Sequence, residues 1–358
     1  MFFNNLLLSF SFLGFLIICA IFSNCLKIKT NSKAFICVSF FYILFFFSFR
    51  SYLSGSQDNQ TNYDIFTYLR SQNDFSEILN YLNVKGKYFL GFSFAYYFIM
   101  WCVAKVFYYY FFFQLLCGAF FVGSLLIFIF KNSKNVHISI MICASIGLFG
   151  FAMNAIRQSI AIAIILLSYN CLQNKKRVLS VLLALLASLF HISALIFVVV
   201  LLLRIIKKAN LRTLYNILVP TVVLVISPLL IFCFYNLTGH NYFNDYLYGF
   251  GGFSTAFFLA VCFYLLFKNS IKLESEKWLF VLLTSVLFIM RFFVSAQFDR
   301  VSFYFIPFCA LFLADHYDSF DSHVSKKDLY WLFVISLYII FLHKITTSSF
   351  SNYRLGIN

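Results

Sequence analysis

Near-continuous apolar runs fill most of the chain, at 2–25, 34–50, 88–104, 107–130, 136–153, 158–174, 178–203, 213–235, 250–267, 278–297, 299–317 and 329–345. A bilayer's hydrocarbon core is crossed by about 20 helical residues, so each run is a candidate spanning helix. The pattern predicts an all-α integral membrane protein built as one polytopic membrane domain over residues 1–358.

The polar punctuation sets the expected topology. Lys27, Lys29 and Lys33 follow the first run, and basic loops are biased towards the cytoplasm. Residues 26–33 are therefore expected inside, and the polar stretch 51–87, with Asp58, Asp64, Asp74 and Glu77, outside. Lys131 and Lys134 call for a cytoplasmic loop, yet two runs lie between 88 and 130. One of them must not cross, and 88–104, flanked by Lys85, Lys87 and Lys105 and rich in aromatics, is expected to be re-entrant or interfacial. Run 178–203 poses a similar problem, because it lies between two basic clusters, Lys175–Arg177 and Arg204–Arg212. Two crossings of about 20 residues each do not fit there. A pair of half-helices meeting near His191 satisfies both clusters; the alternative is one long helix with Arg204 to Arg212 outside. Further on, 236–249 is expected outside, 268–277 and 318–328 inside, and the tail 346–358 outside. The sum is about 10–11 crossings with one or two re-entrant or half-helix segments.

Composition narrows the class. Hydrophobic residues make up 62% and charged residues 11% of the 358, against roughly a quarter charged in ordinary globular proteins. The net charge of +15 is spread between apolar runs, whereas a nucleic-acid binder gathers its basic residues on one soluble face. No nucleic-acid partner is expected. Ten cysteines lie mostly inside the runs, as Cys19, Cys37, Cys117, Cys143 and Cys262 do, with no CxxC pair or Cys/His cluster. They read as small buried hydrophobes rather than disulfide or metal ligands. The start Met-Phe-Phe-Asn-Asn carries no Lys or Arg, so run 2–25 is expected to remain as an anchor rather than be cleaved as a signal peptide.

Charges inside the runs are few, and each costs roughly 2.5–3.5 kcal/mol at mid-membrane on insertion scales. Arg291 is the one charge in 278–297, Arg157 falls in the turn between 136–153 and 158–174, and Asp299–Arg300 opens the run 299–317. By the parity above these residues, with His191, converge on the external half. Arginines grip phosphate oxygens with a planar, always-charged fork, so this set suits a phosphate or pyrophosphate headgroup. A plainer reading stands beside each: Arg157 snorkelling to the interface, Arg291 paired with Asp299, His191 a packed polar link, and the loop acids merely solvated.

Three stretches carry a resemblance. Asn154-Ala155-Ile156-Arg157-Gln158-Ser159-Ile160-Ala161, Ser188-Leu189-Phe190-His191-Ile192-Ser193-Ala194-Leu195 and Arg300-Val301-Ser302-Phe303-Tyr304-Phe305 resemble, in order and spacing, the signature blocks of the EpsG family. That family groups with Wzy-type polysaccharide polymerases. Arg50, Gly55, Asp58 and Tyr63 follow the order, with looser spacing, of an Arg at the membrane edge and the Gly, Asp and Tyr after it in the external loop of relatives. The Glu-Pro-Gly-Tyr block that often begins the third hydrophobic segment is replaced here by Val84-Lys85-Gly86-Lys87-Tyr88.

The resemblance implies polymerisation of lipid-linked oligosaccharide repeat units on the outer face of a bacterial inner (cytoplasmic) membrane. The growing glycan leaves undecaprenyl pyrophosphate and joins the non-reducing end of the next unit. Arg157, Arg300 and Arg291, with Gln158 and Tyr304 from the same blocks, are then the expected headgroup ligands, and His191 or Asp58 the general base. No metal or other cofactor is expected, and a chain-length regulator is a candidate partner. Other roles stay open: a ligase of the same chemistry, a flippase or exporter of the same lipid-linked units, or an accessory scaffold.

Overall fold

The computed structural model describes residues 14–15, 31–51, 57–74, 76, 94–204, 209–238, 253–272, 275–293, 297–316, 335–336 and 338–340. Among them the regular elements are all helices: α1 (Asn31–Ser48), α2 (Gln57–Ser71), α3 (Phe94–Val106), α4 (Tyr110–Asn132), α5 (Val136–Ser145), α6 (Leu148–Asn154), α7 (Ile156–Gln173), α8 (Arg177–Ser188), α9 (Leu195–Arg204), α10 (Ala209–Thr238), α11 (Phe253–Lys268), α12 (Glu276–Phe293), α13 (Gln297–Ser302) and α14 (Ile306–His316). A 3₁₀ turn, Ile192–Ala194, precedes α9. The expected runs 2–25 and 329–345, the loop 236–249 beyond residue 238, the segment 318–328 and the tail 346–358 lie outside the described residues, apart from a few positions in the two runs.

The result is an all-α membrane protein. Among the described residues, helices α4 and α7 are long and apolar enough to cross a membrane, and α5 with α6, bent by 55° at the break between them, has the length and apolarity of a broken span or a re-entrant loop. Large apolar side chains such as Leu182, Leu185 and Leu186 of α8 and Leu214, Ile217 and Val225 of α10 stand exposed on the outside of the bundle, where acyl chains rather than water accept them without cost.

The helix centre is α4, with α1 against one side and α7 against another. The α1 contact is close because of Gly118, where an added Cβ would lie 2.5 Å from the Phe47 ring. Small residues at such crossings let backbones approach where lipid supplies no hydrophobic drive between helices. Polar links do the same job between α7 and α8: Ser168 Oγ donates to the Ser180 carbonyl at 2.7 Å.

Three of the apolar runs are broken, two of them where a continuous span was expected and the third, 178–203, where half-helices were. Run 136–153 bends at Gly147, whose φ of 88° is open to glycine and strained for other residues. Run 299–317 is interrupted by a turn at Phe303–Phe305 between α13 and α14. Run 178–203 breaks at His191, which is extended at φ −156°, ψ 120°, and α9 then packs back on α8. That break excludes the single long helix and leaves the pair of half-helices.

The stretch 51–87 also has more structure than a polar loop. Its helix α2 packs on α3, and Arg70 fastens it to the segment just after α3 by donating to the Tyr108 carbonyl at 2.8 Å and stacking 4.0 Å over the Tyr108 ring. Lys105 returns a bond to the Arg70 carbonyl at 3.0 Å. At 1.5 Å per residue the 13 residues of α3 span about 20 Å, short of a roughly 30 Å core.

Candidate active site at three helix breaks

Arg157 lies in the first turn of α7, one residue inside the helix, rather than in the preceding turn. Helix α6 ends at Asn154, and Ala155, at φ −100° and ψ 60°, redirects the chain before α7 begins. The guanidinium of Arg157 donates to Tyr97 Oη at 3.3 Å and sits 6.0 and 5.9 Å from the Tyr96 and Tyr97 ring centroids. Thus α3, the short helix, supplies aromatic flanks for this cation.

The next residue ties in a second break. Gln158 is buried, and its Nε2 donates to the Arg300 carbonyl at 2.6 Å. A stacked ring pair, Phe151 on Phe303 with centroids 4.0 Å apart and planes 5° apart, reinforces the joint between α6 and the turn after α13. Arg300 itself is exposed near the end of this short helix.

The third break brings the imidazole. His191 is half-buried between α8 and the 3₁₀ turn, with Nδ1 2.7 Å from Ser193 Oγ. Ser193 Oγ donates in turn to Tyr304 Oη at 3.2 Å, and Tyr304 is wholly buried in the turn between α13 and α14. The guanidiniums of Arg157 and Arg300 both lie within electrostatic range of the His191 ring. Five expected site residues, Arg157, Gln158, His191, Arg300 and Tyr304, therefore come together where the chain leaves regular helix at three places. Gln158 and Tyr304 spend polar atoms on protein neighbours.

Other expected residues stand differently. Arg291 lies in the last turn of α12, which packs on α13; its side chain, and that of Asp299, fall outside the described residues. Asp58 lies in the first turn of α2, again with its side chain outside them, as is all of Glu77. Asp74 is engaged locally: its Oδ1 accepts the Ser76 backbone N–H at 2.9 Å, which holds its pKa below the ordinary carboxylate value. Arg50, expected at the membrane edge, is buried at the end of α1, 4.8 Å over the Phe47 ring. Turning the Gln114 amide to satisfy both neighbours lets it accept from Arg50 Nε at 3.3 Å and donate to the Ser48 carbonyl at 3.2 Å. Tyr63 packs edge-on against Tyr110 at 5.7 Å.

Sequence reading missed Ser193, Tyr96 and Tyr97. Ser193 was visible inside its block, two residues from His191, but nothing in spacing alone says that its hydroxyl turns back to the ring. Among the described residues no three His, Cys, Asp or Glu side chains gather as a metal-binding group would require.

Neither a curated protein nor a solved structure matches the chain. The EpsG family model does, over residues 33–355, a range that holds all three broken helices. The chain therefore belongs to the EpsG family, whose members are Wzy-type polymerase-like membrane proteins.

Proposed function

We propose that the protein polymerises lipid-linked oligosaccharide repeat units into a surface polysaccharide, moving the growing glycan from undecaprenyl pyrophosphate to the non-reducing end of the next unit. The observation that carries this reading is the joining of Arg157, Arg300 and His191 at three helix breaks. Irregular backbone at membrane depth is tolerated where it lines a protein-enclosed or watered cavity, and two guanidiniums beside an imidazole offer phosphate ligands next to a base.

In the transfer step the acceptor hydroxyl oxygen attacks the anomeric carbon, and the bond from that carbon to the pyrophosphate oxygen breaks. The hydroxyl proton passes to His191, and the electron pair leaves with the pyrophosphate. Arg157 and Arg300, held in place before the reaction, stabilise the charge that grows on the leaving group. Arg291, carried by the helix that packs on α13, is the third cation of the set. Gln158 and Tyr304 support this set from behind, Gln158 by holding the Arg300 carbonyl and Tyr304 by holding Ser193 beside His191. Asp58 stands as the alternative base. No step requires a metal ion. Because Lys131, Lys134 and Lys175–Arg177 lie at the opposite end of α4 and α7, the positive-inside bias turns the site towards the outer face of a bacterial cytoplasmic membrane.

Purified protein supplied with lipid-linked repeat units, with and without chelator, tests this directly. Products of two and more units joined by new glycosidic bonds are expected in both samples. Transbilayer movement of intact units without bond formation would overturn the reading in favour of a flippase, and single transfers to a different acceptor would favour a ligase.

A further inference from the structure

We infer that Ser193, backed by Tyr304, is a positioning residue that holds His191 with its proton on Nδ1 and so leaves Nε2 as the atom that receives the acceptor's proton. The inference rests on the polymerase reading above and adds to it a tautomer and two residues that set it.

The argument is a count of protons. A serine hydroxyl has one hydrogen to donate. The Ser193 hydroxyl gives it to Tyr304 Oη at 3.2 Å. The same oxygen lies 2.7 Å from His191 Nδ1, a short contact between heavy atoms that needs a hydrogen between them. With the serine proton committed, that hydrogen belongs to Nδ1. A neutral imidazole carries only one N–H, and the bond made by one ring nitrogen decides the state of the other. Nε2 is therefore the lone-pair nitrogen.

The geometry behind the pair is rigid. His191 sits at an extended residue between α8 and the 3₁₀ turn, and Ser193 is inside that turn. Tyr304 is wholly buried in the next break, with Phe305 beside it stacked on Phe197 of α9 at 6.0 Å. Each hydroxyl is thus fixed by a different interrupted helix, and the ring is oriented only when the two breaks are in register. This gives the serine of the second signature block a reason to lie two residues after the histidine.

The test uses the full-length protein in lipid nanodiscs with ¹⁵N-labelled histidine, the His191 signal being assigned by its loss in His191→Gln. The neutral wild-type ring is expected to show a protonated Nδ1 and a bare Nε2. Ser193→Ala is expected to redistribute the tautomers and to lower kcat by up to about 10²–10⁴-fold, the full contribution of a positioned base, with KM unchanged. Ser193→Thr, which keeps the hydroxyl, restores both. Tyr304→Phe, which releases the serine proton towards Nδ1, shifts the tautomer in the same direction and answers the question if Ser193→Ala does not fold. A wild-type ring protonated at Nε2 would overturn the inference, as would an unchanged ¹⁵N pattern in Ser193→Ala or Tyr304→Phe. Failure of the polymerase reading is separate: it appears as wild-type protein that forms no glycosidic bond, whatever the tautomer.

Discussion

The two ends of the bundle use charge in opposite ways. At one end Arg157, Arg300 and His191 lie where helices break, and the groups that act on one another are two guanidiniums and an imidazole. At the other, Asp315 stands among cations and donors at intact helix ends. Its Oδ1 accepts the Lys134 backbone N–H at 2.8 Å and Ser133 Oγ–H at 3.2 Å, while Lys277 Nζ lies 3.3 Å from His316 Nε2. Asn135 donates to the Ala314 carbonyl at 2.8 Å, and Tyr169 to Glu276 Oε2 at 3.1 Å. The second end closes α4, α7, α12 and α14 together with mixed charges and neutral amides. The first gathers like charges around broken backbone, an arrangement that adds little to stability and suits an anionic ligand.

The largest expected effect breaks the comparison at its first term. Arg157→Ala and Arg300→Ala each remove one preorganised cation, and the loss of a single such group costs about 10²–10³ in kcat. Polymer length in vitro should collapse to one or two units while the protein reaches the membrane in normal amount. Lys277→Ala, an equal change of charge at the closed end, should leave the rate near wild type. Comparable activity loss in all three would erase the distinction between the ends.

A smaller effect probes the closed end alone. Asp315→Ala leaves the Lys134 N–H and the Ser133 hydroxyl without their shared acceptor, and because this end is partly open to solvent the loss costs about 0.5–1.5 kcal/mol. Thermal unfolding of the detergent-solubilised protein should shift down accordingly, with kcat unchanged below the transition. A variant as stable as wild type would show that Asp315 does not hold this end together.

These contrasts were only partly legible in the sequence. The membrane class, the helices and the broken run at His191 follow from long-range quantities, hydropathy and charge parity, that a sequence carries openly. The bend at Gly147 does not, because a glycine among Ile146 and Leu148 leaves the hydropathy undisturbed while its φ of 88° turns the chain. The turn at Phe303–Phe305 is hidden for the same reason, being as apolar as the helices it separates. Arg157 and Arg300 were legible as costly charges, but the bond from Gln158 to the Arg300 carbonyl joins residues 142 positions apart, a pairing that neither hydropathy nor charge parity announces. The burial of Arg50 was missed because its acceptor, Gln114, lies in an apolar run where an amide draws no notice.

The smallest effect sharpens the comparison within a single helix. Gln158 and Ser168 both lie on α7 and both donate to a backbone carbonyl of another element, at 2.6 and 2.7 Å. Ten residues apart, they are separated by about 15 Å along the axis. Hydrogen bonds between membrane helices average about 0.6 kcal/mol in double-mutant measurements, so Ser168→Ala and Gln158→Ala should lower stability by similar small amounts. Their consequences for chemistry should differ, because the Ser180 carbonyl belongs to the α7–α8 pair near the closed end, whereas the Arg300 carbonyl fixes a cation of the site. Gln158→Ala should therefore shorten the polymer while Ser168→Ala leaves its length distribution unchanged. If the two substitutions shorten it equally, rigidity of α7 as a whole, and not placement of Arg300, controls the reaction.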